Sequence, residues 1–156
     1  MKKIVLVSLA LTLSIGAFAQ TSGIGIGAII GSNVDFTAKF WMSESTAFVT
    51  SAGFDLWGYG GFHANADFLF HNWSFDVAQD QMKVYFGPGV GMGIYLGNLY
   101  YSSNLWFTLR APGGVGYYFH NLPLECFAEV APGLDLFGPW NTSFRWDSYI
   151  GARWYF

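Results

Sequence analysis

Residues 82–96, MKVYFGPGVGMGIYL, alternate between two kinds of side chain. The even positions are apolar and include Met82, Ile94 and Leu96, whereas the odd positions carry Lys83, tyrosine and glycine. A period of two is typical of a β-strand whose two faces meet different surroundings. We therefore predict that this stretch is an extended strand with one apolar face.

The same alternation recurs along the chain and divides it into eight segments. Turn-forming residues separate them, for example Gly31-Ser32-Asn33 and His120-Asn121, because glycine and asparagine tolerate the backbone angles of a chain reversal. After residue 20 no run reaches the roughly 18 apolar residues of a membrane-spanning helix. We predict one domain of consecutive hairpins, with strands at 22–31, 34–42, 47–56, 59–71, 82–96, 104–119, 123–137 and 143–156.

Charged residues occupy only one face of the predicted strands. The phase of each strand follows from its apolar residues alone, such as Ile24, Ile26 and Ile30 in the first, and no position on the apolar face is charged. A transmembrane barrel requires this separation, because its lipid-facing band excludes charge. The opposite face carries the charges within the strands, which are Asp35, Lys39, Asp55, Asp67, Lys83, Arg110, Glu125, Glu129, Asp135, Arg145, Asp147 and Arg153.

Volume distinguishes two interpretations of the apolar face. In a secreted, lipid-carrying barrel this face would line the interior, whereas in a membrane barrel it would face lipid. An eight-stranded barrel is only wide enough for its own side chains, so it cannot enclose the large apolar residues of eight strands. It can enclose the opposite face, where glycines such as Gly25, Gly93 and Gly151 make room for Trp41, Tyr85, Phe127, Tyr149 and Tyr155.

The last predicted strand is long enough to cross a membrane. Residues 144–156 span about 40 Å along the strand, or about 30 Å along the membrane normal at a tilt near 40°. Phe144 and Trp146 lie at one end of it and Trp154 and Phe156 at the other, as two interfacial aromatic girdles require. The sequence therefore predicts an all-β fold, an eight-stranded antiparallel up-and-down transmembrane β-barrel.

The first 19 residues have the three parts of a secretory signal peptide. Lys2 and Lys3 precede an apolar run, which ends before a cleavage triplet of the small-x-small type, Ala17-Phe18-Ala19. The run is shorter than the roughly 20 residues that a spanning helix needs. We predict that residues 1–19 are a signal peptide and that residues 20–156 form the outer-membrane β-barrel.

Composition excludes several classes of protein. The chain is 53% hydrophobic, 21% aromatic and only 11% charged, whereas soluble domains average about 25% charged residues. Loss of Lys2 and Lys3 leaves five of the seven basic residues against ten acidic ones. Binding of nucleic acid requires lysine and arginine residues clustered along the phosphate backbone, and five scattered basic residues cannot form such a cluster. Nucleic acid is therefore not predicted as a partner. The single cysteine, Cys126, cannot form an intramolecular disulfide.

Three prolines interrupt the predicted strands. Pro88, Pro112 and Pro132 fall inside strands five, six and seven. Each removes one hydrogen-bond donor from its ladder. We therefore expect β-bulges at these positions, with the adjoining glycines taking the strain.

The charged face is predicted to form ion pairs. Charges inside so narrow a barrel are desolvated and need partners. Hairpin geometry places Glu125 opposite Arg153 and Asp67 opposite Lys83. Arg110 is expected within reach of Glu129. We predict an interior ion-pair network with a structural role, formed by Lys39, Asp67, Lys83, Arg110, Glu125, Glu129 and Arg153.

No pattern indicates catalysis, a metal or a cofactor. Glu125 and Glu129 are separated by about 13 Å along one strand, too far for paired acid-base chemistry. Ser148 shares its face with no histidine that could act as a base. The glycine pattern at 23–27 lies in a strand, not in the loop before a helix that binds phosphate. Metal-ligand spacing is also absent from the histidines, which are His63, His71 and His120.

The end of the chain resembles a known targeting signal. Residues 150–156, IGARWYF, resemble the C-terminal signal of bacterial outer-membrane proteins, an alternating last strand that ends in phenylalanine. This resemblance implies insertion by the outer-membrane assembly machinery, with Trp154 and Phe156 as the signal residues. The glycine-rich first strand and residues 37–41 and 125–133 resemble small spirochaete-type eight-stranded outer-membrane barrels and, more loosely, OmpA/OmpX-like barrels.

We therefore expect a non-enzymatic protein of the bacterial outer membrane with a structural or surface-interaction role, most simply as a monomer. A narrow porin-like channel for water, ions or very small solutes is the alternative. The expected partner is outer-membrane lipid. The outward loops are expected near 32–33, 57–60, 97–103 and 138–142. Their aromatic residues either anchor in lipid head groups or bind a surface ligand; they are Trp57, Tyr59, Tyr100, Tyr101 and Trp140.

Overall fold

A computed structural model describes residues 22–55, 60–96, 105–138 and 142–156, with Asp55 by its backbone alone. The predicted signal peptide and the start at Gln20 lie outside these ranges. Within them, no helix is long and apolar enough to cross a membrane. The strands are β1 (Ile24–Gly31), β2 (Val34–Trp41), β3 (Thr46–Asp55), β4 (Gly61–Val77), β5 (Asp80–Phe86), β6 (Gly89–Tyr95), β7 (Leu105–Arg110), β8 (Gly113–Tyr118), β9 (Leu124–Phe137) and β10 (Ser143–Tyr155).

These strands form one closed antiparallel ring. β1 to β4 pair in chain order, and β10 pairs with both β1 and β9. β5 and β6 are the two halves of one barrel strand, since both pair with β4. β7 and β8 are likewise halves of the next strand, and both pair with β9. The ring therefore has eight strands, and the predicted up-and-down barrel is confirmed.

The prolines do not produce the expected bulges. Residue pairing keeps the same register on both sides of Pro88, Pro112 and Pro132, so this prediction is wrong. A proline lacks the ladder donor but keeps its carbonyl acceptor. That carbonyl continues the ladder across each break. The bonds run from the N–H groups of Phe68, Gly87 and Ala111 to the carbonyls of Pro88, Pro112 and Pro132, at 2.9, 3.0 and 2.9 Å respectively.

A bulge occurs instead within β4. Phe70 lies opposite Phe86, but Trp73 lies opposite Val84, so two residues of β4 oppose one of β5. The extra residue reverses the inward and outward faces of the following segment. β4 therefore continues to Val77, and the prediction of a strand that ends at residue 71 is wrong.

The two faces of the barrel have the predicted orientation. Phe86, Ile94 and Leu109 are 45%, 37% and 47% exposed on the outer surface. The soluble, lipid-carrying alternative needs such residues inside, and it is wrong for the described strands. Arg145 is half-buried. The other charges described on the inner face are buried, namely Asp35, Lys39, Asp67, Lys83, Arg110, Glu125, Glu129, Asp135, Asp147 and Arg153.

Inward-facing glycines accommodate the interior aromatic rings. A Cβ atom on Gly25 would lie 2.8 Å from the Tyr155 ring, and one on Gly151 would lie 2.6 Å from Phe127. Gly93 has the same relation to Trp106, at 2.6 Å. No ordinary side chain fits at such distances. The interior is therefore filled by large rings from some strands against bare backbone from others.

Candidate functional site: the charged interior

Glu125 is the centre of a buried charge cluster at the terminal end, the end of the barrel at which β1 begins and β10 ends. Its Oε1 atom accepts hydrogen bonds from Lys39 Nζ at 3.0 Å and Tyr118 OH at 2.8 Å. Its Oε2 atom accepts from Arg153 Nη1 at 3.4 Å and Tyr155 OH at 2.5 Å. One carboxylate thus pairs with two cations and two phenols.

The β-sheet register explains part of this cluster. Glu125 lies opposite Arg153 in the β9–β10 hairpin and opposite Tyr118 in the β8–β9 hairpin. Lys39 comes from β2, which does not adjoin β9, and it reaches Glu125 across the lumen. Hairpin spacing predicts the contact of Glu125 with Arg153, whereas the contact with Tyr118 was not predicted and hairpin spacing contains no signal for the contact with Lys39.

Arg110 is the centre of a second cluster. Its Nε atom lies 3.1 Å from Asp67 Oδ1, and its Nη2 atom lies 3.1 Å from Glu129 Oε1. The other Glu129 oxygen accepts a hydrogen bond from Tyr85 OH at 3.0 Å. The structure thus brings Arg110 to Glu129, as the hairpin geometry predicts, and adds Asp67 to the same guanidinium.

The expected pairing of Asp67 with Lys83 is wrong. Asp67 lies opposite Gly89, whereas Lys83 lies opposite Ser74. A pair between Asp67 and Lys83 requires a reversal at residue 75, midway between them. The chain instead turns after Val77, and the β4 bulge shifts the register by one more residue. Within the described part of the chain, Lys83 has no carboxylate within 4.0 Å.

The opposite end of the barrel has its own pairs. His63 Nε2 lies 2.8 Å from Asp35 Oδ1. Arg145 lies between Asp135 and Asp147, with N···O distances of 3.6 and 3.5 Å, and stacks over Trp106 at 4.3 Å. These charges share the predicted inner face, but their pairing was not predicted. A cavity of about 10 Å³ lies between them, lined in part by Asn33, His63, Trp106 and Arg145.

The other candidate residues lie apart from one another. Ser148 is exposed on the outer face, and His71 Nε2 lies 3.0 Å from Lys39 Nζ inside the barrel. The backbone N–H of His120, in the turn between β8 and β9, donates to Asp80. In the described ranges, no group of three or more histidine, cysteine or acidic side chains could hold a metal ion. The arrangement fixes buried charges in place and fills the lumen.

The predicted assembly signal closes the ring. Trp154 lies opposite Ile26 on β1 and Leu124 on β9. The backbone N–H of Phe156 donates to the Ile24 carbonyl at 3.0 Å, and the Phe156 side chain is exposed on the outer surface. The loop aromatics proposed as anchors lie outside the described residues; they are Trp57, Tyr59, Tyr100, Tyr101 and Trp140.

Comparison with known proteins identifies the class of fold. No family model and no curated protein matches the sequence. The structure is similar to the N-terminal β-barrel domain of Pseudomonas aeruginosa OprF, with a TM-score of 0.63 and 14% sequence identity. The match covers 85% of this chain and 95% of that domain. At this identity the likeness shows the fold, which is a closed antiparallel β-barrel.

Proposed function

We propose that this protein is a non-enzymatic β-barrel of the bacterial outer membrane with a structural or surface-interaction role. The observation that carries the proposal is the reversed distribution of side chains: the large apolar residues are exposed outside, and the charges are buried inside. Such a surface is stable in hydrocarbon rather than in water. The β-barrel likeness supports the same conclusion.

The packing of the terminal end favours a structural role over an open pore. Lys39 and Glu125 are fully buried and Arg153 is 2% exposed, so the cluster leaves almost no surface that water can reach. An eight-stranded barrel has an interior just wide enough for its side chains. We therefore infer that the resting lumen is blocked at this level.

A narrow channel is the second candidate, and the sharing of partners in the two clusters favours it. Glu125 holds both Lys39 and Arg153, and Arg110 holds both Asp67 and Glu129. Each central group can release one partner while it keeps the other. Such an exchange would open a path for water or small ions without leaving the central charge unpaired.

Single-channel recording in planar bilayers distinguishes these two roles. The structural role predicts a silent bilayer for the folded protein at every tested voltage. Stable, reproducible unitary steps would support the channel and overturn the closed-lumen proposal. Lys39→Met is the informative variant, because it removes one of the two cations of Glu125 and should change the frequency of any genuine opening.

We propose export and membrane insertion on the basis of the sequence ends. Residues 1–19 would direct export, and Trp154 and Phe156 would be recognised by the assembly machinery. Deletion of Phe156 should lower the amount of folded protein in the outer-membrane fraction, whereas Phe144→Leu should not. The narrower likeness to spirochaete-type barrels stays a prediction.

The outward loops predicted from the sequence are proposed to contact lipid head groups. Their aromatic content suits the membrane interface, and a surface ligand is the alternative. Replacement of residues 97–103 with a glycine-serine loop tests this choice. If the protein binds a surface ligand, loss of that binding in the variant would identify the loop as the ligand site. Unchanged binding would exclude this loop as the ligand site.

A further inference from the structure

Residues 72–77 of β4 have a strand partner on one side only. Phe70 is the last β4 residue that lies opposite a residue of β3, namely Thr46, and just beyond it the His71 N–H donates to the Ser45 carbonyl. After the bulge, β4 continues beside β5, and no described strand pairs with its other side. This leaves an open ladder edge at the terminal end of the barrel.

The geometry of the following turn shows which backbone groups point to this edge. A two-residue turn at 78–79 joins β4 to β5, so the flanking pair, Val77 and Asp80, is hydrogen-bonded. Hydrogen-bonded pairs alternate with non-hydrogen-bonded pairs along antiparallel strands. The N–H and C=O groups of Ser74 and Asp76 therefore point away from β5. Two donors and two acceptors are left for a further strand.

The side chains along this edge are also exposed. Trp73, Phe75 and Val77 form an apolar row and are 53%, 51% and 39% exposed, and the polar residues between them are exposed as well. Asp76 is the single charge in residues 72–77, and no described basic side chain lies within 4.0 Å of it. Open edges are commonly protected by lysine or proline, and this segment contains neither.

We propose that residues 72–77 bind an extended segment of a partner polypeptide, which adds to the sheet as a further antiparallel strand. The backbone groups of Ser74 and Asp76 supply the ladder hydrogen bonds, as in other cases of strand addition. Alternate apolar residues of the bound segment lie beside Trp73 and Phe75. A basic residue of the segment pairs with Asp76.

A polypeptide strand fits this edge better than a second copy of the chain or lipid does. An antiparallel ladder requires two strands that run in opposite directions, whereas two copies inserted in one membrane have β4 running the same way. This step rests on the proposed membrane location. Lipid can cover the apolar row, but it offers no alternating donors and acceptors to Ser74 and Asp76. The unpaired carboxylate of Asp76 favours a basic segment.

Amide hydrogen exchange of the full chain in detergent micelles tests the site. The probe is a nine-residue peptide that alternates valine with threonine and carries one lysine at a threonine position. With saturating peptide, the amides of Ser74 and Asp76 should exchange at least tenfold more slowly. The amides of Trp73 and Phe75, which already bond to β5, should not change. Unchanged exchange at Ser74 and Asp76 overturns the proposal.

A backbone-blocked peptide separates strand addition from contact of side chains. The same peptide, N-methylated at its threonine and lysine residues, keeps the side chains but loses the donors that face the ladder. It should give no protection of Ser74 and Asp76. Equal protection by the two peptides would overturn strand addition.

Two results would assign the edge to another occupant and overturn the proposal. Protection of Ser74 and Asp76 without peptide that increases with protein concentration would identify a second copy. Protection without peptide at every protein concentration would identify the lipid surface. A protein that requires detergent and migrates as a folded barrel, yet shows no protection by the peptide, retains the proposed function and lacks the strand-addition site.

Substitutions locate the site. Ser74→Pro removes one ladder donor at an edge position, where proline is tolerated, and should weaken peptide binding at least tenfold. Asp76→Asn should weaken it about two- to fivefold, as expected for an exposed ion pair. Glu44→Gln makes the same change of charge in the exposed turn between β2 and β3 and should leave the affinity unchanged.

Equal affinity in Ser74→Pro and the parent protein overturns the assignment. If Ser74→Pro fails to fold, as judged by the migration of unheated samples, the comparison of the two peptides on the parent protein decides.

Discussion

Glu125 illustrates how much of the interior depends on one side chain. It is fully buried and pairs with Lys39 and Arg153 from strands that do not adjoin each other. A buried cation that loses its partner retains its desolvation cost without the compensating attraction. The main contribution of the Glu125 carboxylate to the stability of the barrel is therefore the neutralisation of these two cations.

Glu125→Gln should lower the free energy of unfolding by about 3–5 kcal/mol, because it leaves two buried cations unpaired. Urea titration of the barrel in micelles measures this loss. Glu44→Gln is the matched control in an exposed turn and should change stability by less than about 0.5 kcal/mol. Equal stability of the two variants would show that Glu125 is not needed for charge balance.

Gly25 shows why bare backbone is needed inside the barrel. The Tyr155 ring covers it, and the Tyr155 hydroxyl is held by Glu125, so the ring cannot move away freely. Gly113 lies on the outer face, and a Cβ atom there would meet its nearest atom only at 3.7 Å. The two glycines therefore separate the effect of overpacking from the effect of chain flexibility.

Gly25→Ala should destabilise the barrel by about 1–3 kcal/mol through overpacking. Gly113→Ala should be neutral or stabilising by up to about 1 kcal/mol, since alanine restricts the unfolded chain. The same urea titration measures both. A Gly25→Ala variant as stable as Gly113→Ala would contradict the packing described for Tyr155.

At the scale of the element, the β4 bulge keeps an amphipathic strand amphipathic. Residues up to Phe70 place their even positions outward, whereas Trp73, Phe75 and Val77 are exposed at odd positions. The extra residue before Trp73 allows both sets to lie on the outer surface. The alternation of apolar and polar residues changes phase at this bulge. A prediction that assumes a strict period of two therefore ends the strand here and misses the continuation of β4.

Deletion of Asn72 should turn Trp73, Phe75 and Val77 toward the lumen side, because a shift of one residue exchanges the faces of a strand. The backbone amides of Met82 and Val84, which pair with this segment, should then exchange hydrogen about tenfold faster or more. Asn72→Ala keeps the residue count and should retain parental exchange. Parental exchange in the deletion variant would show that the bulge does not set the register.

Asp80 connects the tip of the β4–β5 hairpin to the turn after β8. It is next to the turn that follows Val77, where Asp76 and Val77 are exposed. Its carboxylate accepts from Tyr117 OH at 2.6 Å and from the His120 backbone N–H at 2.8 Å. Because both donors favour the charged form, the pKa of Asp80 is lowered from its ordinary value.

This contact should be present at neutral pH and lost in acid. A lowered folded-state pKa means that the interaction contributes above the ordinary aspartate pKa, near 4, and disappears as the pH falls through the folded-state value. Carboxyl carbon NMR should find the midpoint of Asp80 below that ordinary value. The His120 amide signal should titrate in parallel and lose this response in Asp80→Asn. A midpoint at or above the ordinary value would contradict the contact.

At the scale of the whole molecule, closure of the ring determines how the protein behaves. Every described barrel strand has a partner on both sides, so no described strand leaves an open ladder edge along the wall, apart from residues 72–77 of β4. The outer surface of the described strands is apolar, and most charged side chains of the interior are buried. Disruption therefore requires many backbone hydrogen bonds to break together.

The folded protein should require detergent to stay dispersed, and unheated samples should migrate differently from boiled ones on denaturing gels. Detergent is needed because the exterior is apolar. The migration differs because a closed β-ladder opens slowly unless the sample is heated. Gel electrophoresis and size-exclusion chromatography with and without detergent provide the measurements. A monodisperse monomer in buffer alone would contradict a membrane barrel.

Periodicity predicted the strands, the faces and the barrel because these depend on neighbouring residues along one strand. Hairpin spacing likewise placed Glu125 opposite Arg153, since that pair shares one ladder. The expected Asp67–Lys83 pair failed because a turn position and one extra residue changed the register. His63–Asp35 and Lys39–Glu125 could not be predicted, because strands distant in the chain supply the partners.

The sequence by itself determined which side of the predicted strands lies on the outer surface, except in β4 beyond its bulge, because a two-residue period assigns each side chain to one face. Only the tertiary structure decided which inward side chains meet across the lumen. Those contacts depend on the stagger between strands and on ring closure, which place Lys39 against Glu125 and leave Lys83 without a carboxylate. These geometric quantities are properties of the whole ring, and no local segment of sequence encodes them.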